Sequence, residues 1–139
     1  MSWFKKLLLL YIILVVIKVA LVSIIPAPST FADGYIYAKM ARSFFYNQNF
    51  LVHDELNYIY PPLYSIVLSI SYIFKDMNLV YFSMKVINSF ISSLIIIPAW
   101  LLGKEFLNEK KAFLFTILAS VIPSSFSTTT YLMSENLFY

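Results

Sequence analysis

Cysteine is absent from the 139-residue sequence, which excludes disulfides, thiolate metal sites and a cysteine nucleophile while leaving the compartment open. Glycine occurs twice, and no low-complexity tract or solenoid-length repeat is present, so the composition weighs against a disordered or repetitive chain. Charge is scarce as well: 12% of residues are charged against 60% hydrophobic, which is not the balance of a soluble domain. Histidine appears once, at His53, so a metal site would have to combine carboxylates with that single imidazole. A divalent metal is compatible with these residues and is not demanded by them. The net charge of +3 comes mostly from lysines at the ends of apolar runs, the distribution of membrane topology signals and not of a nucleic-acid face. What remains is an integral membrane protein of all-α class.

The apolar runs set the organisation. Lys5 and Lys6 precede a run from Leu7 to Ile25, 19 residues interrupted only by Lys18 and Ser23, which spans about 28 Å as a helix and suffices for one crossing. A cleaved signal peptide, with Thr30-Phe31-Ala32 as its cleavage site, is the rival reading, but the run exceeds the usual apolar core of such a signal. Lys18 within it is expected to snorkel outward, the alternative being a carboxylate partner inside a larger bundle. Pro26 and Pro28 end the crossing.

Residues 34–48 carry Tyr37, Ala38, Ala41, Phe44 and Phe45 at helical spacing, with Lys39, Arg42 and Tyr46 off that stripe, which predicts a short helix lying in the membrane interface. Asp33 stands where its N-cap belongs. After Tyr60-Pro61-Pro62-Leu63-Tyr64 comes an apolar run to Phe74, whose 12 residues from Leu63 give about 18 Å of helix, too short to cross. It is expected to be re-entrant or interfacial. A second crossing runs from Leu79 to Leu102, and a third over 112–133, hydroxyl-rich toward its end.

Orientation follows from the lysines. With Lys5 and Lys6 on the cytoplasmic side, and Lys104, Lys110 and Lys111 there too by the positive-inside rule, an even number of crossings separates them. The runs 7–25 and 79–102 supply those two. Residues 26–78 then form an external loop, Asp33 lies outside, and the third crossing returns Glu135 to the same face. The expected location is a multi-pass plasma-membrane protein with a cytoplasmic N-terminus.

Two carboxylates on one face, with Lys39, Arg42, His53, Asp54 and Glu55 near in sequence, suit general-base activation of a hydroxyl and the handling of a phosphate. Plainer roles compete. Asp33 and Ser134 could cap helices, Asp54 and Glu55 could be solvated loop charges, and His53 could be a surface group.

The order of these features decides further. A first crossing, Asp33 with Tyr37 and Ala41 in a following helix, Tyr60-Pro61-Pro62-Leu63-Tyr64, a crossing that ends in a basic turn, and a Pro123-bearing crossing leading to Ser134-Glu135 together resemble the N-terminal part of the C-type glycosyltransferase superfamily. That superfamily includes dolichyl-phosphate-mannose protein mannosyltransferases and aminoarabinose transferases of lipid A. The resemblance implies a polyprenyl-phosphate-linked sugar donor and a protein, lipid or glycan acceptor. It also implies that Asp33 activates or orients the acceptor nucleophile, and that Glu135 helps build the same cavity. Where many relatives carry a second acid directly after the first, this chain has Gly34, so either Asp54 or Glu55 substitutes or no paired acid is needed. Lys39, Arg42 and Tyr60 complete the candidate substrate contacts. Relatives have more crossings, so the chain is expected to be the first part of a longer enzyme and to lack transfer activity alone. The alternative class is a small non-catalytic membrane protein serving a larger complex, and a transporter fragment with Lys18 on its path is a third.

Overall fold

In a computed structural model the described residues are 2–24, 32–53, 55–56, 59–122 and 126. They form six α-helices and one small hairpin: α1 (Trp3–Ile24), α2 (Ala32–Asn47), β1 (Leu51–Val52), β2 (Glu55–Leu56), α3 (Pro62–Ser69) continued by a 3-10 turn over Ile70–Ile73, α4 (Met77–Ser93), α5 (Ile96–Phe106) and α6 (Glu109–Ser120). The all-α class is as expected. Two stretches are long and apolar enough to cross a membrane, Trp3–Ile24 and the 30 residues Met77–Phe106 taken across the short turn inside them.

Local chemistry sets the helix limits. Pro61 precedes α3 in an extended conformation and Pro62 occupies its first position, where a missing N–H leaves no helical bond unmade. Asp76 caps α4, its side chain accepting from the Asn78 N–H, and Asn108 caps α6 by accepting from the Lys111 N–H.

The apolar run 79–102 is not one uninterrupted helix. Pro98 has no N–H to return to the Leu94 carbonyl. The chain makes a turn at Leu94 and Ile95, the Ile97 N–H meets the Leu94 carbonyl instead at 2.9 Å, and α5 restarts with Pro98 in its first turn. Ser89 and Ser93 turn their hydroxyls back onto the Lys85 and Ser89 carbonyls at 2.9 and 2.7 Å, a pattern that bends helices. The expected third crossing is described only as α6, whose 12 residues reach about 18 Å; most of the remainder, from Pro123 on, lies outside the described residues.

α1 and the α4–α5 unit run antiparallel. The Trp3 and Trp100 rings sit 5.4 Å apart at one end, and further along Tyr11 Oη donates to the Phe90 carbonyl at 3.2 Å. Phe113 of α6 joins the tryptophans, 5.8 Å from Trp3. α5 and α6 pack closely, because Gly103 has no side chain: a Cβ there would lie 3.2 Å from Ala112 Cα.

The second cluster lies toward the other end, where α2, α3 and the first half of α4 meet. Its core is Tyr37, Ala38, Ala41, Tyr64, Leu68, Tyr72, Val80 and Met84. Hydroxyls stitch it together: Tyr72 Oη donates to the Ala38 carbonyl at 2.8 Å, Ser65 Oγ to the Tyr37 carbonyl at 3.2 Å, and Tyr64 Oη to Asn88 Oδ1 at 2.8 Å. Burial raises the Tyr72 phenol above its ordinary pKa, since ionising it there would strand a charge away from water. The stripe read from the sequence for α2 is present, Tyr37, Ala38 and Ala41 being buried. What covers it is α3.

Lys18 does not snorkel. It is 1% exposed, lies on the buried stripe of α1 with Leu14, Val15 and Val22, and donates to Ser92 Oγ at 2.9 Å.

Candidate functional site

Asp33 lies in the first turn of α2, as its second residue, and not before it. It is therefore not the N-cap, although the positive end of the helix dipole still favours its charge. Its exposed carboxylate accepts from Tyr60 Oη at 2.7 Å. Tyr60 is held in turn by its ring, which meets the buried Tyr37 ring edge-on at 5.4 Å, and Tyr37 meets Tyr64 in the same way at 5.0 Å. Such edge-to-face pairs fix ring directions. The Tyr-Pro-Pro-Leu-Tyr segment thus orients Asp33 through Tyr60 while starting α3. The hydrogen bond to Asp33 is the main reason that the Tyr60 phenol sits above its ordinary pKa, with burial and the Asp33 charge adding to it.

Lys39 and Arg42 are not part of this arrangement. At about 100° per residue they stand roughly 120° and 180° around α2 from Asp33. They line a separate cleft of about 430 Å³ with Ser43, Tyr46, Asn47, Leu51 and His53. One wall is α2 and the other is the hairpin, in which Leu51 pairs with Leu56 and Val52 with Glu55. Two non-glycine residues, Gln48 and His53, take left-handed backbone with φ of 54° and 53°, at a cost on the order of 1–2 kcal/mol each. The hairpin is tied down by Ser43, whose hydroxyl donates to Asn49 Oδ1 in a short contact and accepts from the Leu51 N–H at 3.2 Å. The His53 ring is 3.4 Å from Tyr35 Oη through Nε2, and Lys39 Nζ lies 5.4 Å from the centre of the same Tyr35 ring.

The candidate residues therefore divide. Asp33 and Tyr60 are brought together; Lys39 and Arg42 are brought to His53; Glu55 is exposed on β2. Asp54 and Glu135 lie outside the described residues. Among the described residues no group of three or more His, Asp or Glu side chains gathers to hold a metal ion. Tyr35 was not among the residues named from the sequence, and His53 was named there only as near Lys39 and Arg42 in sequence, yet one signal was present. Tyr35, Lys39, Arg42 and Tyr46 fall at i, i+4, i+7 and i+11, a polar-aromatic stripe on a single helix face.

No protein-family model, curated protein or solved structure matches the chain.

Proposed function

We propose that the chain is the N-terminal part of a membrane-embedded glycosyltransferase resembling the C-type superfamily, moving a sugar from a polyprenyl-phosphate donor to an acceptor on the external face. The observation that carries this reading is the exposed Asp33 carboxylate, oriented by Tyr60 at 2.7 Å. In the reaction the acceptor oxygen bonds to the sugar's anomeric carbon, the bond from that carbon to the phosphate oxygen breaks, and polyprenyl phosphate leaves with its electron pair. Asp33 takes the acceptor's proton. Tyr60 keeps the carboxylate aimed, in the manner of a positioning group.

A lipid surrounding is supported by where polarity lies. On α4 the residues Lys85, Asn88, Ser89 and Ser93 are buried while Leu79, Phe82 and Phe90 are exposed; on α6 Thr116 and Ser120 are buried while Leu114 and Leu118 are exposed. Water would favour the reverse, whereas hydrocarbon favours polar groups turned to helix interfaces. The lysines and tryptophans gathered at one end, with Lys6 Nζ 3.8 Å from the Trp3 ring centre and Lys104 Nζ 5.9 Å from that of Trp100, suit a cytoplasmic interface.

The decisive experiment introduces Asp33→Asn into the native gene and measures transfer from a labelled polyprenyl-phosphate sugar in membranes. Asparagine keeps size and polarity and removes basicity. Loss of transfer by about 10²–10⁴-fold at normal membrane yield is expected; unaltered transfer would sink the reading. A role as a non-catalytic subunit is favoured by one feature, an apolar groove of about 420 Å³ between α1 and α5 that includes Phe4, Leu7, Tyr11, Ile97, Trp100 and Leu101. A stoichiometric partner co-purifying with a chain that transfers nothing would select that alternative.

A further inference from the structure

We propose that the cleft between α2 and the hairpin binds a phosphate group through Lys39, Arg42 and His53, as a site separate from Asp33. Three features point to an anion. Lys39 and Arg42 stand three residues apart on one helix, so both reach the same space. His53 faces them from the hairpin turn, where its position is fixed by left-handed backbone and by contact with Tyr35. Among the described residues the lining has no carboxylate, and besides these three it includes Ser43, Tyr46, Asn47 and Leu51.

The donor chemistry fits phosphate better than a planar carboxylate alone. A guanidinium offers a fork of N–H groups to two oxygens, an ammonium serves as a compact charge for a third, and an imidazole adds a further donor. A volume of about 430 Å³ holds more than a bare phosphate, leaving room for the group esterified to it. The site does not depend on Asp33 acting as a base. Because the cleft lies around α2 from that carboxylate, a phosphate in it is not the leaving group of a transfer at Asp33. An accessory anion, bound where the external loop packs on the bundle, is what the geometry accommodates.

Such a phosphate could belong to a lipid headgroup or be free in solution, and the two are separable. The full chain, purified in an uncharged detergent, is unfolded by heat with phosphatidylglycerol or with diacylglycerol of the same chains in the micelles, and separately with inorganic phosphate against chloride at equal ionic strength. A saturable rise in the midpoint with phosphatidylglycerol and none with diacylglycerol or phosphate assigns a lipid headgroup; a rise with inorganic phosphate assigns the free ion or the phosphate moiety itself. In either case the double variant Lys39→Gln/Arg42→Gln should weaken the apparent affinity at least about tenfold, as expected on losing hydrogen bonds to a charged group. Lys39→Arg should keep it. Lys110→Gln/Lys111→Gln, at the opposite end, controls for attraction of anions to any basic surface and should leave it unchanged. Equal binding by the Lys39→Gln/Arg42→Gln chain, equal loss in the Lys110→Gln/Lys111→Gln chain, or no response to any phosphate probe would overturn the proposal.

Discussion

At the level of single residues, Tyr60 offers the most direct report on Asp33. Its phenol is raised above 10.0 chiefly because the protonated form donates to the Asp33 carboxylate. The folded pKa therefore exceeds the unfolded one, so this contact stabilises the chain fully below about pH 10 and is lost as pH rises through the folded value. Tyrosinate absorbance of the parent minus that of Tyr60→Phe isolates this phenol from the other tyrosines. In Asp33→Asn the isolated titration should shift to lower pH, since an amide oxygen is a weaker acceptor and carries no charge. An unshifted curve would mean that the carboxylate does not hold the phenol. The same residue scale explains why Lys18 was misplaced. Its stripe, Leu14, Val15, Lys18 and Val22, is invisible in a run where nearly every residue is apolar, so nothing in the sequence told which face turns inward. The placement of His53 opposite Lys39 and Arg42 was hidden for another reason: it depends on left-handed backbone at a residue other than glycine, which the sequence does not announce.

Among the elements, the contact of α5 with α6 depends on Gly103. A Cβ at that position would meet Ala112 Cα at 3.2 Å and Phe115 Cδ1 at 3.2 Å. The phenylalanine ring can rotate away, but the Ala112 backbone can move only if the helices separate. Gly103→Ala should be nearly neutral, because a gain in helix propensity of about 1 kcal/mol opposes that crowding. Gly103→Leu should destabilise by about 1–3 kcal/mol through overpacking. Unfolding midpoints in detergent would check both, and a leucine variant as stable as the parent would show that the two helices do not pack this closely. Helix existence was legible here more fully than helix arrangement. Pro61-Pro62 marked the start of α3, and the stripe of Tyr37, Ala38 and Ala41 marked the inward face of α2. The turn at Leu94 and Ile95 had its signal in Pro98, but the mostly apolar composition of 79–102 outweighed it. The hairpin gave none, its strands being two residues each and its register set by Ser43 from a neighbouring helix.

For the whole molecule, the transferase reading depends on which end faces which side. Trp3 near Trp100 and Phe113 brings the start of α1, the later part of α5 and α6 to one end. Lys6 and Lys104 stand over two of those rings, so the two basic segments that the charge rule assigned to a single side are also neighbours in space. Between them α1 leads away from that end and the α4–α5 unit leads back to it, while the 12 residues of Pro62–Ile73, shorter than the two candidate spans, pack beside α2. The cysteine-free chain lets this be tested with single substitutions at exposed positions: Glu55→Cys on the hairpin and Lys110→Cys on α6. An impermeant maleimide applied to intact cells should label the cysteine at position 55 and reach the one at 110 only after the membrane is opened. The reverse pattern would invert the orientation and put Asp33 on the cytoplasmic side, away from an external acceptor. Labelling of both in intact cells would break the pairing of the basic segments across one interface, and with it the membrane arrangement on which the transferase reading depends.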